Sequence, residues 1–256
     1  MNTQQLKPYN VLLIGDDGVD IYKYGDVHRI SPEAPIPILN MTHETISHGM
    51  AGNVKRNLEA FGLQVEYKHG VKTSTKIRFV DNKTKHHLLR VDDDQTSKPV
   101  NIKSLVLNSF NAIVISDYNK GSIDGSLAQL IANSEYQGPV FVDTKKRDLD
   151  IFNGFYVKIN EDEYNNRLTD THNTIITLGA RGARYKDKIY PTPNVEMHDV
   201  CGAGDTFLAA LVYQYLRTNS ISDAIIYANK AAAISVQHLG VYALTKEDID
   251  AIERTC

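Results

Sequence analysis

The 256 residues contain no tryptophan, only two cysteines and four methionines, and no apolar run approaching the length of a membrane span. Two cysteines, Cys201 and Cys256, are too few for a disulfide framework and point to a reducing compartment. The opening stretch from Met1 to Asn10 is polar, and Val11–Gly15 is far too short for a signal core, so a cytoplasmic protein is expected. In that setting the Asn-x-Thr sequences at Asn40 and Asn82 mean nothing as glycosylation acceptors. Basic residues are not in excess: 28 Lys and Arg against 31 Asp and Glu leave a formal charge of −3. A protein that blankets nucleic acid or an anionic membrane is thereby excluded, and any anion bound must be held by local arrangement. Neither a Gly-x-x-x-x-Gly-Lys-Ser/Thr loop nor a Gly-x-Gly-x-x-Gly turn after the first strand occurs, and none of the nine histidines has zinc spacing.

What is present is the composition of an ordinary globular protein, 42% hydrophobic and 23% charged. At about 150 residues per domain, the length suits one large domain, taken as residues 1–256. Val11–Ile14, Ala112–Ile115, Pro139–Val142 and Thr174–Thr177 read as strands buried on both faces. Between and after them run helical patterns over Asn53–Phe61, Ser126–Asn133, Gly204–Leu216 and Ile221–Val236, and Thr245–Asp248 has the form of a capping box. The expectation is an α/β fold with a mainly parallel sheet. Ile21–Met41, interrupted by Pro32, Pro35 and Pro37, predicts edge strands outside that sheet, and Thr75–Val80 with His86–Val91 predicts a hairpin. Both are read as a small β lid, segments 21–41 and 75–91.

Three stretches could carry chemistry. Asp199–Phe207 places Gly202, Ala203, Gly204 and Asp205 at the start of an amphipathic helix, where unpaired N–H groups and the positive end of the dipole make a phosphate cradle. Asp205 there could take a proton from an attacking alcohol; a Gly-rich turn with a capping Asp is the alternative. Asn160, Glu161, Asp162 and Glu163, after a strand, suit hydrated Mg²⁺ and nucleotide phosphates, or simply make an acidic helix start. Gly179–Gly182 is a nucleotide-edge loop or a tight hairpin.

Taken together, these residues resemble the ribokinase-like (PfkB) carbohydrate kinases, marked by the Gly202-Ala-Gly-Asp205 element. Gly15-Asp16, Asp20, Tyr24-Gly25, the run Arg29–Pro37, Ser116–Gly121 and Asp143-Thr-Lys145 are similar to the D-glycero-β-D-manno-heptose 7-phosphate kinases in particular. The similarity runs in order from about Val11 to Ala243. It implies a ribokinase-like three-layer domain, with Asp205 as catalytic base and Gly202, Ala203 and Gly204 as its anion hole. ATP and Mg²⁺ would be served by Asn160, Glu161, Asp162 and Glu163, with Glu163 on the metal and Thr177, Gly179, Gly182 and Asn229 bordering the nucleotide. Asp20, Gly49, Asn53, Asp117 and Lys120 would face the sugar, and Lys76 and Arg78 on the lid are candidates for its phosphate. The implied partner is a small-molecule sugar phosphate, with no nucleic acid and no membrane. The lid's apolar face, with Ile30, Ile36 and Ile38, predicts a homodimer.

Three departures from that family stand out. Its paired glycines before the sugar-binding Asn are here Gly49-Met50. Leu63–Thr75 and Tyr164–Asn173 are shorter than usual, predicting a compact version without one βα unit and one surface helix. No nucleotidyltransferase like the one often fused to these kinases is expected after Cys256. The shortening and Met50 leave two alternative readings, another PfkB-type sugar kinase or a non-catalytic sugar or nucleotide sensor with the same fold.

Overall fold

The computed structural model describes residues 8–238 and 240–255; the polar start over residues 1–7 and Cys256 lie outside the described residues. In chain order the elements are β1 (Asn10–Ile30), β2 (Pro37–Gly49), α1 (Met50–Ala60), β3 (Gln64–Asp81), β4 (His87–Asp93), β5 (Ala112–Asp117), α2 (Gly125–Ala132) and β6 (Val140–Thr144). They continue with β7 (Tyr156–Asn160), α3 (Glu161–Asn165), β8 (Thr174–Thr177), β9 (Ala183–Tyr185), β10 (Lys188–Tyr190), α4 (Ala203–Thr218), α5 (Ile221–Ser235) and α6 (Lys246–Glu253).

The strands join in the order β10-β9-β8-β7-β6-β5-β1-β3-β4, with β2 paired to β1. From β3 through β8 the central pairings are parallel. Val11 to Ile14 are all fully buried, as alternation in a doubly covered sheet requires. Val11 and Leu13 join the core under α1, α4, α5 and α6. Leu12 and Ile14 join the core on the other face, with α2. That is the expected three-layer arrangement.

The lid corrects one expectation. The first lid strand does not stand outside the main sheet: β1 pairs with β3 and β5 over Asn10–Gly15, shifts register between Gly15 and Asp17, and continues to Ile30 between β2 and β3. The prolines sit where a missing N–H costs no ladder bond, Pro32 and Pro35 in the connecting turn and Pro37 at the start of β2. The hairpin turns at Asp81–Thr84, where the Asp81 carboxylate accepts from the N–H (2.8 Å) and hydroxyl (2.7 Å) of Thr84. The shortened Leu63–Thr75 region is a single strand, β3, that crosses from main sheet to lid with no helix between. Likewise α3 ends at Asn165 and no further helix lies between it and β8.

Candidate active site

The cleft opens at the carboxyl ends of β6, β7 and β8, where parallel α/β sheets hold ligands. It encloses about 450 Å³ between those strand ends, the 179–182 turn, the first turn of α4 and one side of α5. One end is polar, with Asp143, Lys145, Lys158 and Asp205; the other is apolar, with Val195, Met197, Ala232 and Val236.

Gly202 precedes α4 with φ of +78°, a left-handed turn that aims the helix start into the cleft. Of the amides expected to form the anion hole, that of Ala203 is turned back, donating to the Val200 carbonyl at 3.2 Å. The open donors of the first turn are therefore those of Gly204 and Asp205. Asp205 is 6% exposed. Asn53 Nδ2 donates to its Oδ2 at 2.5 Å, and the Tyr118 hydroxyl to its Oδ1 at 3.3 Å. Burial pushes this carboxyl up to about 6, against the lowering pull of the Asn53 hydrogen bond and with a further push from the negative charge of Asp143.

Tyr118 follows β5 in a loop tied to β1, because the Asp16 carboxylate accepts from the N–H groups of Tyr118, Lys120 and Ser122 at 2.8, 3.0 and 3.1 Å. Two ammonium groups lie over its ring, Lys76 from the lid at 5.9 Å and Lys145 from the segment after β6 at 5.7 Å. Burial, with the charges of Asp205 and Asp143, pushes the Tyr118 hydroxyl well up, so it stays a donor. Lys158 and Asp143 form a buried ion pair at 2.6 Å.

On the lid side, Asp20 pairs with Arg78 at 2.5 Å. Gly49 touches that carboxylate closely, since a Cβ there would lie 2.4 Å from Asp20 Oδ2. Met50 takes the next position with φ of +48°, and its side chain fills the space beside Gly18.

Most of the residues singled out from sequence converge. Gly202, Ala203, Gly204, Asp205, Asn160, Thr177, Gly179, Gly182 and Asn229 line the cleft, and Asn53 bonds to Asp205. Others lie elsewhere. Glu161 pairs with Arg181 on the surface and Asp162 is exposed, both in the first turn of α3 that Asn160 caps. Asp117 is buried against Thr144, Lys146 and the Asn119 N–H, and Lys120 pairs with Asp94, so neither lines the cleft. Glu163 closes the capping box with Asn160 at 2.8 Å and pairs with Lys145. Tyr118, Lys145, Asp143 and Lys158 received no role from sequence. For Lys158 there was a signal: a lysine between Val157 and Ile159 interrupts a buried strand.

The family model described as pfkB family carbohydrate kinase matches residues 51–248. The chain is similar to the bifunctional protein HldE of Nitratiruptor sp., 28% identical over 98% of this chain, and to that of Helicobacter acinonychis, 30% identical over 94%. It spans just under two thirds of either relative, 66%. The first alignment runs to 307 positions, more than the residues this chain has, so the relative carries insertions absent here. In fold it is similar to Escherichia coli phosphofructokinase-2 in complex with potassium, with a TM-score of 0.72, 16% identity and 98% and 99% of the two chains covered. Arabidopsis thaliana ribokinase complexed with ribose and ATP gives 0.68 at 13% identity, covering 96% and 99%. With most of its length matched by the family model and its fold shared with ribokinase, this chain belongs to the pfkB family of carbohydrate kinases.

Proposed function

We propose that this kinase, which as a pfkB family member uses ATP to phosphorylate a sugar, acts on the anomeric hydroxyl of a sugar already phosphorylated at its far end. The substrate that the residues favour is D-glycero-D-manno-heptose 7-phosphate, giving the 1,7-bisphosphate. The observation that carries this reading is a buried carboxyl, Asp205, in the first turn of an anion-receiving helix and bonded to Tyr118, over whose ring the lid's Lys76 lies.

In the proposed reaction the sugar hydroxyl gives its proton to Asp205 as it attacks the γ-phosphorus, and the bond to the β,γ-bridging oxygen breaks toward ADP. The N–H groups of Gly204 and Asp205 meet the charge that develops on the phosphoryl oxygens. The apolar end of the cleft suits a flat base, with Asn229 at its border. Asp20 and Asn53 orient the sugar. Mg²⁺, which neutralises phosphate charge when bound, keeps several waters and needs few carboxylates. Glu163 fits that need: its carboxyl is anchored by Asn160 and Lys145 at the edge of the cleft, and each oxygen keeps a second lone pair. Among the described residues no group of three acidic or His/Cys side chains could hold an ion alone, which accords with a metal carried in on the nucleotide.

A second phosphate on the sugar must find a cation. Arg78, Arg90 and Lys120 already pair with Asp20, Asp92 and Asp94. Among the described residues Lys76 has no carboxylate within ion-pair distance and lies over the Tyr118 ring, which makes it the best-placed charge for that phosphate. ATP consumption by the purified protein should require a sugar phosphate, with a heptose 7-phosphate preferred over hexose and pentose phosphates. Losing a charge-assisted contact of roughly 1.5–3 kcal/mol should raise the sugar-phosphate KM of Lys76→Ala by about tenfold or more, with the ATP KM unchanged. Equal use of the unphosphorylated sugar would remove the phosphate pocket. ATP binding without turnover on any acceptor would leave the sensor reading, which Met50 in the place of a family glycine favours.

A further inference from the structure

Lys158 sits mid-strand in β7 between two fully buried apolar neighbours, with its own side chain 6% exposed. An ammonium removed from water in this way is costly unless a partner answers it. Its cross-strand neighbour on β6 is Asp143, and the two meet at 2.6 Å. That pairing is incomplete on both sides. Among the described residues Asp143 is the one acceptor Lys158 Nζ meets, although an ammonium has three donors. The other carboxylate oxygen, Asp143 Oδ1, is buried without a partner.

The ammonium also lies close against the first turn of α4: a Cβ built on Gly204 would lie 2.8 Å from Nζ, so a larger residue there would push the ammonium aside. The start of a sixteen-residue helix carries partial positive charge from its open N–H groups. Two positive features face one point; Asp143 answers the ammonium, while Asp205, in the same turn, is held by Asn53 and Tyr118. The arrangement becomes favourable when an anion occupies that point, next to Asp205 and within the cleft.

We infer that Lys158 is a catalytic residue of the phosphoryl transfer: its ammonium, aimed by Asp143, donates to an oxygen of the γ-phosphoryl group as it passes from ADP to the sugar oxygen. The inference rests on the kinase reading above. In this step the sugar O–P bond forms as the bond from phosphorus to the β,γ-bridging oxygen breaks, the electron pair of that bond leaves with ADP, and the hydroxyl proton goes to Asp205. Lys158 keeps all its protons and supplies charge and a hydrogen bond. Asp143 is a positioning residue.

The test compares the wild type with Lys158→Met, Lys158→Arg and the double variant Lys158→Met/Asp143→Asn, in which no buried charge is left unpaired. Expected for Lys158→Met and the double variant is a kcat lower by about 10²–10³-fold, the loss typical of one donor to a developing oxyanion. The KM values for ATP and sugar should stay within about threefold, since the contact strengthens only in the transition state. Lys158→Arg should recover at least tenfold of the loss. Affinity for ADP with aluminium fluoride and sugar should fall by the same factor as kcat, a readout that a purely structural lysine would not move. A double variant with wild-type thermal stability and near-wild-type kcat overturns the inference while the kinase reading stands. A wild type that binds ATP yet phosphorylates no sugar overturns that reading, and this inference with it.

Discussion

Asp205 holds its charge against its surroundings. With its carboxyl pushed up to about 6 by burial, the folded protein binds the proton more tightly than the unfolded chain, whose value is near 3.8. The sign follows from linkage: ionising the group in the folded state costs stability at every pH above its folded value, and the cost disappears as pH falls toward the unfolded value. A shift of that size corresponds to about 3 kcal/mol. Asp205→Asn keeps the shape without the charge, so it should melt at a higher temperature than wild type at pH 7.5 and lose that advantage near pH 4. Turnover should fall at least ~10²-fold with nucleotide affinity nearly unchanged. In the wild type kcat/KM should fall as pH drops through about 6, where Asp205 becomes protonated. Near-normal turnover in the variant would reduce Asp205 to a helix cap. The residue was legible in sequence because two glycines ahead of an amphipathic helix mark an anion cradle; Lys158 showed only as a charge interrupting a buried strand, and its role depends on a cross-strand neighbour fifteen residues away.

Among the elements, β1 does two jobs that periodicity did not separate. Its buried half predicted a strand at Val11–Ile14, and its lid half predicted an extended segment, but the sequence between them carries no sign that one strand runs through both. The link is the register shift after Gly15, where Asp16 turns under the loop that follows β5. Asp16 carries three backbone N–H groups of that loop, and the loop carries Tyr118 to Asp205. Replacing Asp16 by Ala strands those donors in a buried site, at about 3 kcal/mol or more. For a chain of this size that corresponds to a fall in Tm of roughly 6–12 °C. Amide exchange should speed up over 118–122 and remain slow in the core of α4, with a lower kcat because Tyr118 is no longer held. Unchanged exchange over 118–122 would show that the loop is held by its own packing.

At the scale of the molecule, the lid presents an unpartnered apolar row. Ile46, Ile21, Ile77 and Val91 lie side by side across β2, β1, β3 and β4, with Ile46 64% and Val91 43% exposed. Leu89, two residues from Val91 on β4, extends the row, and Ile30 and Ile36 are exposed at the far end of the β1–β2 ribbon, apolar surface that is costly to keep in water. A homodimer with two lids packed together is the expected outcome, visible as twice the chain mass in sedimentation. Ile46→Glu should shift it to monomer without unfolding the core. A concentration-independent monomer in the wild type would remove the proposal. The same view shows what the shortening did: with β3 passing straight into the lid, the lid is joined to the main sheet by two continuous strands, β1 and β3. Among the described residues no helix is long and apolar enough to cross a membrane.

The amino-acid sequence by itself determined the layers and the chemistry at helix starts, because both follow from local periodicity. Apolar four-residue runs make doubly buried strands, and a glycine pair before an amphipathic helix exposes N–H groups whatever lies around them. It also carried the capping box at Thr245, which closes within four residues. Only the tertiary structure decided which charges remain free to act. Arg78 is taken up by Asp20 while Lys76 is open, Asp117 is locked against Thr144 of the neighbouring strand and Lys146 just after it, and Lys158 is driven against α4, because each depends on which residue lies across a strand or a lid from it. Pairing of that kind is set by strand register and packing, and neither is encoded in the spacing of the residues concerned.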